Sequence, residues 1–282
     1  MMRIITDSAA DFEPEEMKAL GVECIPLGVS FGEAEYLENE NLSKTEFFRL
    51  LRSAKEFPRT SHPGLFVYES IMREAKEADD TAVIITISSA ISGTYETAMM
   101  ALEASGAADC CRVVDARTAT GGQRMLVELA AKLRDEGKSF REVADAVEAL
   151  RPKVRIFACI NTLEFLYRGG RIPKTAYALG TAANIKPIIT VSEDGNVQIM
   201  AKMLGLHRGM NYILKQYRAD PPDPAYPLYF MYTEDPENGR KLMEYMNRNG
   251  ESFADDTPVI PVGAAIGSHV GPGACGMVYI AK

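Results

Sequence analysis

The chain has 282 residues, more than one domain usually holds, so two α/β domains sharing a cleft are expected. A hydrophobic share of 46% and a charged share of 25% are ordinary for a folded globular protein and argue against disorder. The formal net charge of −8 disfavours a general affinity for nucleic acid or for an anionic membrane surface.

The chain opens on a short strand, Arg3 to Thr6, followed by Asp7, with no apolar stretch of signal-peptide length. Glu23 to Val29 reads as a second strand. Ser43 caps a predicted helix from Lys44 to Lys55. The hydroxyl cluster Arg59-Thr60-Ser61-His62-Pro63-Gly64 precedes another helix, Leu65 to Ala78. The apolar run Ala82 to Ile87, with its strand over Ala82 to Thr86, feeds through Ser88-Ser89-Ala90-Ile91 into Ser92-Gly93-Thr94 and a helix from Tyr95 to Ala104. Arg112 to Val114 adds a strand, and Ser139-Phe140-Arg141-Glu142 has capping-box spacing at the start of a helix ending near Leu150. This alternation predicts a mostly parallel, Rossmann-like sheet covered by helices.

Beyond Arg151-Pro152-Lys153 the texture changes, which divides the chain into an N-terminal domain, 1–152, and a C-terminal α/β domain, 153–282, with the ligand cleft between them. A strand from Arg155 to Ile160 leads into Leu163 to Leu166 and the basic turn Tyr167-Arg168-Gly169-Gly170-Arg171-Ile172-Pro173-Lys174. Lys186 to Val191 and Val197 to Lys202 flank Glu193-Asp194-Gly195-Asn196, whose Asp-Gly pair predicts an antiparallel hairpin. A helix from Leu206 to Tyr217, a strand from Leu228 to Tyr232, a helix from Glu237 to Asn249, and strands at Val259 to Val262 and Gly276 to Ile280 complete the domain.

The most informative feature is the junction at Ser92-Gly93-Thr94. A strand ending in hydroxyl residues at a helix start offers hydroxyl donors and unpaired N–H groups at the positive end of the helix dipole, which suits an anion. The Thr60-Ser61 junction resembles it, and both converge on one acidic group if their strands share a parallel sheet. Asp7-Ser8 and Asp11 either orient loops at that edge or cap helices. The basic turn is either a solvated surface cluster or a place where Arg171 reaches an acid while Arg168 or Lys174 faces a partner. Met99, Met100, Met125 and Met203 read either as core filler or as the lining of an adaptable tunnel.

Other chemistry has less support. Gly271-Pro272-Gly273-Ala274-Cys275-Gly276 has dinucleotide-fingerprint spacing but lacks the helix and downstream acid that give the motif meaning, so a tight turn is expected. Ser92-Gly93-Thr94 lacks a Walker A lysine. Ser92, His269 and Asp7 are the members of a conceivable hydrolytic triad, though no nucleophile-elbow GxSxG is present. His62, His207 and His269 show no metal-ligand spacing, and the five cysteines, at 24, 110, 111, 159 and 275, form no CxxC pair. A reduced, cytoplasmic protein without a metal is expected.

Five ordered segments together resemble the DegV family of bacterial fatty-acid-binding proteins over essentially the whole chain. They are Ile5-Thr6-Asp7-Ser8-Ala9-Ala10-Asp11, Thr60-Ser61-His62-Pro63-Gly64, Ile87-Ser88-Ser89-Ala90-Ile91-Ser92-Gly93-Thr94-Tyr95, Leu163-Glu164-Phe165-Leu166-Tyr167-Arg168-Gly169-Gly170-Arg171-Ile172 and His269-Val270-Gly271-Pro272-Gly273-Ala274. The resemblance implies a DegV-like two-domain carrier that holds one long-chain fatty acid and is not itself an enzyme. A separate kinase subunit phosphorylates the acid to an acyl phosphate with ATP, for phospholipid metabolism. It implies Thr60 and Ser92 as principal carboxylate ligands, with Ser61 and Gly93 nearby and Arg171 and His269 in the supporting network. No cofactor beyond the bound acid is implied, and the partners are the fatty acid, the kinase subunit and, transiently, a membrane. The family's usual glutamine at 62 is His62 here, and its usual serine or threonine at 64 is Gly64. The rival readings are a lipid hydrolase using Ser92 and His269, a small-molecule phosphotransferase, and a lipid-responsive regulatory module.

Overall fold

The computed structural model describes residues 1–178 and 184–282. The first half runs β1 (Met2–Asp7), α1 (Pro14–Leu20), β2 (Val22–Ile25), β3 (Gly28–Phe31), β4 (Ala34–Leu37), α2 (Lys44–Ser53), β5 (Arg59–Ser61), α3 (Leu65–Glu77), β6 (Thr81–Thr86), α4 (Thr94–Ser105), β7 (Cys111–Asp115), α5 (Gly121–Asp135) and α6 (Phe140–Leu150). Four of these strands form a parallel sheet in the order β2-β1-β6-β7. A parallel strand is covered on both faces, which is why Ala82, Val83, Ile84 and Ile85 of β6 are all fully buried and the run is apolar throughout. The helix starts follow the sequence signals. Ser43 Oγ accepts from Glu46 N at 3.2 Å, and Ser139 and Glu142 form the reciprocal capping box.

The expected strand from Glu23 to Val29 is two strands. Pro26 stands at the break, and a proline has no N–H to continue a ladder. The first part, β2, stays in the parallel sheet, while β3 enters a separate antiparallel sheet of order β4-β3-β5. Thr60 lies on β5, opposite Val29, so the two hydroxyl junctions do not share a sheet as expected.

From Val154 onward the strands belong to a third, mixed sheet. The elements are β8 (Val154–Cys159), α7 (Glu164–Arg168), α8 (Lys174–Ala178), β9 (Ile185–Val191), β10 (Val197–Leu204), α9 (Leu206–Ala219), β11 (Leu228–Tyr232), α10 (Pro236–Arg248), β12 (Val259–Pro261), α11 (Ala264–Val270) and β13 (Cys275–Ile280). Their order is β10-β9-β8-β13-β11-β12, antiparallel except between β11 and β12. The Asp194-Gly195 turn joins β9 to β10 as its chemistry predicts.

Helix α5, which the sequence reading passed over, holds the two larger sheets together. Met125, Leu126, Val127, Ala130 and Ala131 pack in one cluster with Ile4 and Val83 of the parallel sheet and Ile156 and Val278 of the mixed one. Its first residue needs to be small: a methyl on Gly121 would stand 2.5 Å from Val278 Cγ1 and 3.1 Å from Met231 Sδ. Gly121→Ala is expected to destabilise the fold by about 1–3 kcal/mol through overpacking. The check is a lower urea midpoint at unchanged slope.

Candidate functional site

A cavity of about 1110 Å³, counting its mouth, is lined by strands of the mixed sheet and of the small antiparallel sheet, by the loops that follow β6 and β7 of the parallel sheet, and by α11. Most of its wall is apolar, including Ile87, Ile91, Ile156, Ile189, Met231 and Val262. Two deeper hydroxyls are already engaged: Thr190 Oγ1 donates to Ile156 O at 2.7 Å, and Thr233 Oγ1 accepts from Ala274 N at 2.8 Å.

A chain of contacts joins the remaining polar groups at one place. Thr60 Oγ1 lies 3.0 Å from His269 Nε2. Arg171 Nε donates to Ile91 O at 3.0 Å, one residue before Ser92, and its Nη1 donates to Gly169 O. Ser92 Oγ lies 2.8 Å from Thr94 Oγ1, at the first turn of α4. His62 packs against Gly93, and a methyl there would stand 3.1 Å from the imidazole Nε2. Thr60, Ser61, Ser92, Gly93, Arg171 and His269 therefore all line the same cavity, together with His62.

The electrostatics favour neutral donors over a clamp. Burial first, and Arg171 second, push His269 down to about 3, so its ring is neutral at ordinary pH. Its Nδ1 is buried without a hydrogen-bond partner among the described residues. Burial also lowers the pKa of Arg171.

Helix α11, which carries His269, is positioned by two buried carboxylates. Gly263 N donates to Asp11 Oδ1 at 2.9 Å, Ala264 N donates to Glu38 Oε1, and Ala265 N reaches the same oxygen at 3.3 Å. Ser8 Oγ donates to Glu38 Oε2 at 2.7 Å, and Lys44 Nζ donates to Asp11 O at 2.7 Å. Burial pushes Asp11 up to about 6, against the opposing pull of Lys44; burial and then the neighbouring Asp11 push Glu38 up to about 7. Glu38 carries no sequence signal, because in Leu37-Glu38-Asn39-Glu40-Asn41 it reads as one more solvated acid.

Some of the readings left open by the sequence fail in the structure and others hold. The triad is not assembled: Asp7 accepts from Ile87 N at 2.7 Å, Ala9 N at 3.1 Å and Gln123 Nε2 at 3.1 Å, while Ser92 pairs with Thr94 and His269 with Thr60. Asp7 instead ties together the loops that follow β1 and β6. None of the four methionines singled out lines the cavity; Met99 and Met100 are exposed, Met125 is in the core, Met203 packs on a second cluster, and Met231 is the one in the wall. Of the basic turn, Arg171 faces the cavity, whereas Arg168 pairs with Glu164 at 2.9 Å and lies 4.1 Å over the Phe57 ring. Gly271 and Gly273 adopt positive φ in the turn between α11 and β13, which accounts for the glycine spacing there. Among the described residues no cluster of three His, Cys, Asp or Glu is placed to hold a metal, and no helix is long and apolar enough to cross a membrane.

A sequence model described as "Uncharacterised protein, DegV family" matches residues 1–282. A DegV domain-containing protein of Lactococcus lactis is 31% identical, with 99% of this chain and 98% of the relative covered; one from Streptococcus pyogenes is 30% identical over the same shares. Among solved structures, a DegV family protein from Thermus thermophilus, described for its fatty-acid binding, is similar at a TM-score of 0.87 and 33% identity, covering 100% of this chain and 99% of the other. A stearic acid-binding protein from Eubacterium ventriosum is similar at a TM-score of 0.88 and 28% identity over the same shares.

Proposed function

The chain belongs to the DegV family, and from that premise we propose that it binds one long-chain fatty acid and presents the carboxylate to a separate kinase for acyl-phosphate formation. The observation that carries this reading is the cavity itself, a largely apolar enclosure whose polar groups gather around Thr60, Ser92 and Gly93. A tail of about fifteen methylenes gains on the order of 12 kcal/mol on burial at ~0.8 kcal/mol each, before ordering costs. That gain is opposed by desolvation of the carboxylate unless donors replace its water. With His269 Nε2–H donating to Thr60 Oγ1, the Thr60 hydroxyl is free to donate to the head group, and Ser92 and the Gly93 N–H approach from the start of α4. Ser61 stands beside them, and Arg171 holds the Ser92 loop through Ile91 O.

Hydroxyl donors also suit the chemistry. A carboxylate oxygen must attack the γ-phosphorus of ATP, forming the acyl O–P bond as ADP departs. A cationic clamp on both oxygens would quench that nucleophile, whereas two hydroxyls hold the group and leave an oxygen available. The carrier supplies no metal or cofactor on this reading, acts in the cytoplasm and meets a membrane only to exchange its ligand. Organic extraction and mass spectrometry of the purified protein is expected to yield about one equivalent of a long-chain fatty acid, as a single enclosed site requires. Recovery of no lipid, or turnover of an ester by the protein alone, overturns the reading.

A further inference from the structure

His62 lines the cavity beside the carboxylate-holding groups, and the scheme above gives it no task. It is accessible at the mouth, between Ser61 and the buried Pro63. Its Nδ1 lies 3.0 Å from Pro63 O and 3.3 Å from Thr97 Oγ1. The tautomer in which Nδ1–H donates to Pro63 O leaves the lone pair on Nε2. That lone-pair edge is turned to Gly93, beside Ser92.

A carboxyl group that has just left an apolar phase carries its proton, because a bare carboxylate is far more costly there. Thr60, Ser61 and Ser92 can donate to a carboxylate but cannot keep that proton. Resting on the fatty-acid reading above, we propose that His62 accepts the proton of an incoming fatty acid at Nε2 and, as imidazolium, donates a hydrogen bond back to the carboxylate it has created. The acid's O–H bond breaks, its electron pair stays on the carboxylate oxygen, and an Nε2–H bond forms; nothing is oxidised or reduced.

Asp11 and Glu38, which hold the start of α11, are raised to about 6 and about 7, so the proton linkage of His62 is isolated by comparison with a variant at that position. Thr97 of α4, the Gly93 backbone and the Pro63 carbonyl face its ring, and none of them titrates. Of the other titratable groups lining the cavity, His269 is held neutral, and the phenol of Tyr232 and the thiol of Cys275 are shifted upward, the first by burial and the second by its hydrogen bond with the Cys159 thiol. Arg171 remains a cation.

The test uses the full chain, delipidated, with palmitate as the probe, titrated by calorimetry at about pH 6 and about pH 8, each in two buffers of different ionisation enthalpy so that the heat reports any proton taken from solution. Delivered from water as the anion, palmitate brings no proton, so the wild type is expected to take up part of one from the buffer on binding and therefore to bind about 3- to 10-fold more tightly at the lower pH. His62→Gln, which keeps the size and hydrogen-bonding reach, should bind palmitic acid with that difference and the proton uptake removed. A glutamine variant with the wild-type profile overturns the role of His62 while leaving fatty-acid binding intact. Failure of the wild type to bind palmitic acid at either pH overturns the fatty-acid reading, and this inference with it.

Discussion

Glu38→Ala is expected to lower the stability of the fold by about 3–5 kcal/mol, the range for removing one member of a buried charged network. The substitution leaves the Ala264 and Ala265 N–H groups and the Ser8 hydroxyl without their acceptor and leaves Asp11 as the remaining carboxylate at the start of α11. Because α11 brings Ala265, Ile266, His269 and Val270 to the cavity wall, ligand retention should fall together with stability. Urea unfolding followed by circular dichroism measures the first effect. The same pair makes stability depend on pH in an unusual direction. Asp11 and Glu38 are raised by folding to about 6 and about 7, so the folded chain binds more protons than the unfolded one in the window above their ordinary values. Their contribution is present in full below the unfolded pKa values near 4 and is lost as pH rises through about 7. Melting temperature should therefore rise from about pH 8 to about pH 5.5, and Glu38→Gln should flatten that slope.

Ser92→Ala and Thr60→Val should each weaken fatty-acid binding by about 10- to 100-fold, the cost of one hydrogen bond to a charged group. The double variant should lose less than the product of the two, since on the proposed reading both hydroxyls hold one carboxylate. Thr60→Val has a second consequence that Ser92→Ala lacks. It removes the partner of His269 Nε2, and with Nδ1 already unpartnered the buried ring would keep no hydrogen bond, so the melting temperature should fall even without ligand. Displacement of a fluorescent fatty acid measures the first effect, and calorimetric melting of delipidated protein the second. Wild-type retention and phosphorylation in Ser92→Ala would remove Ser92 from the head-group site.

Where local physics dominates, the sequence was readable. The serine-glutamate box before α6, the Asp194-Gly195 turn and the unbroken apolar run of β6 each announce their element through groups within a few residues. Helix α5 was missed for a tertiary reason. Sheets cover two of its faces, so its apolar residues do not form a single stripe, and it begins with Gly121-Gly122, poor helix formers tolerated for close packing. β4 and β5 are too short and polar to show an alternating pattern. α11 is built from small residues without a period, and its start depends on acids more than two hundred residues away in sequence. Thr60 and Ser92 were legible as hydroxyl junctions, yet the ground offered for their meeting was mistaken, since β5 belongs to the small antiparallel sheet. What brings Thr60 to the cavity is β3 on one side and the His269 contact on the other, neither of which has a local signature.

The position of α5 also limits how the cavity can open. A clamshell that swung its halves apart would strip Met125, Leu126 and Val127 from Ile156 and Val278 and wet the main core with every cycle. On the proposed reading, a bound acid would therefore enter and leave through the rim of the cavity, while the shared keel of the protein stays shut.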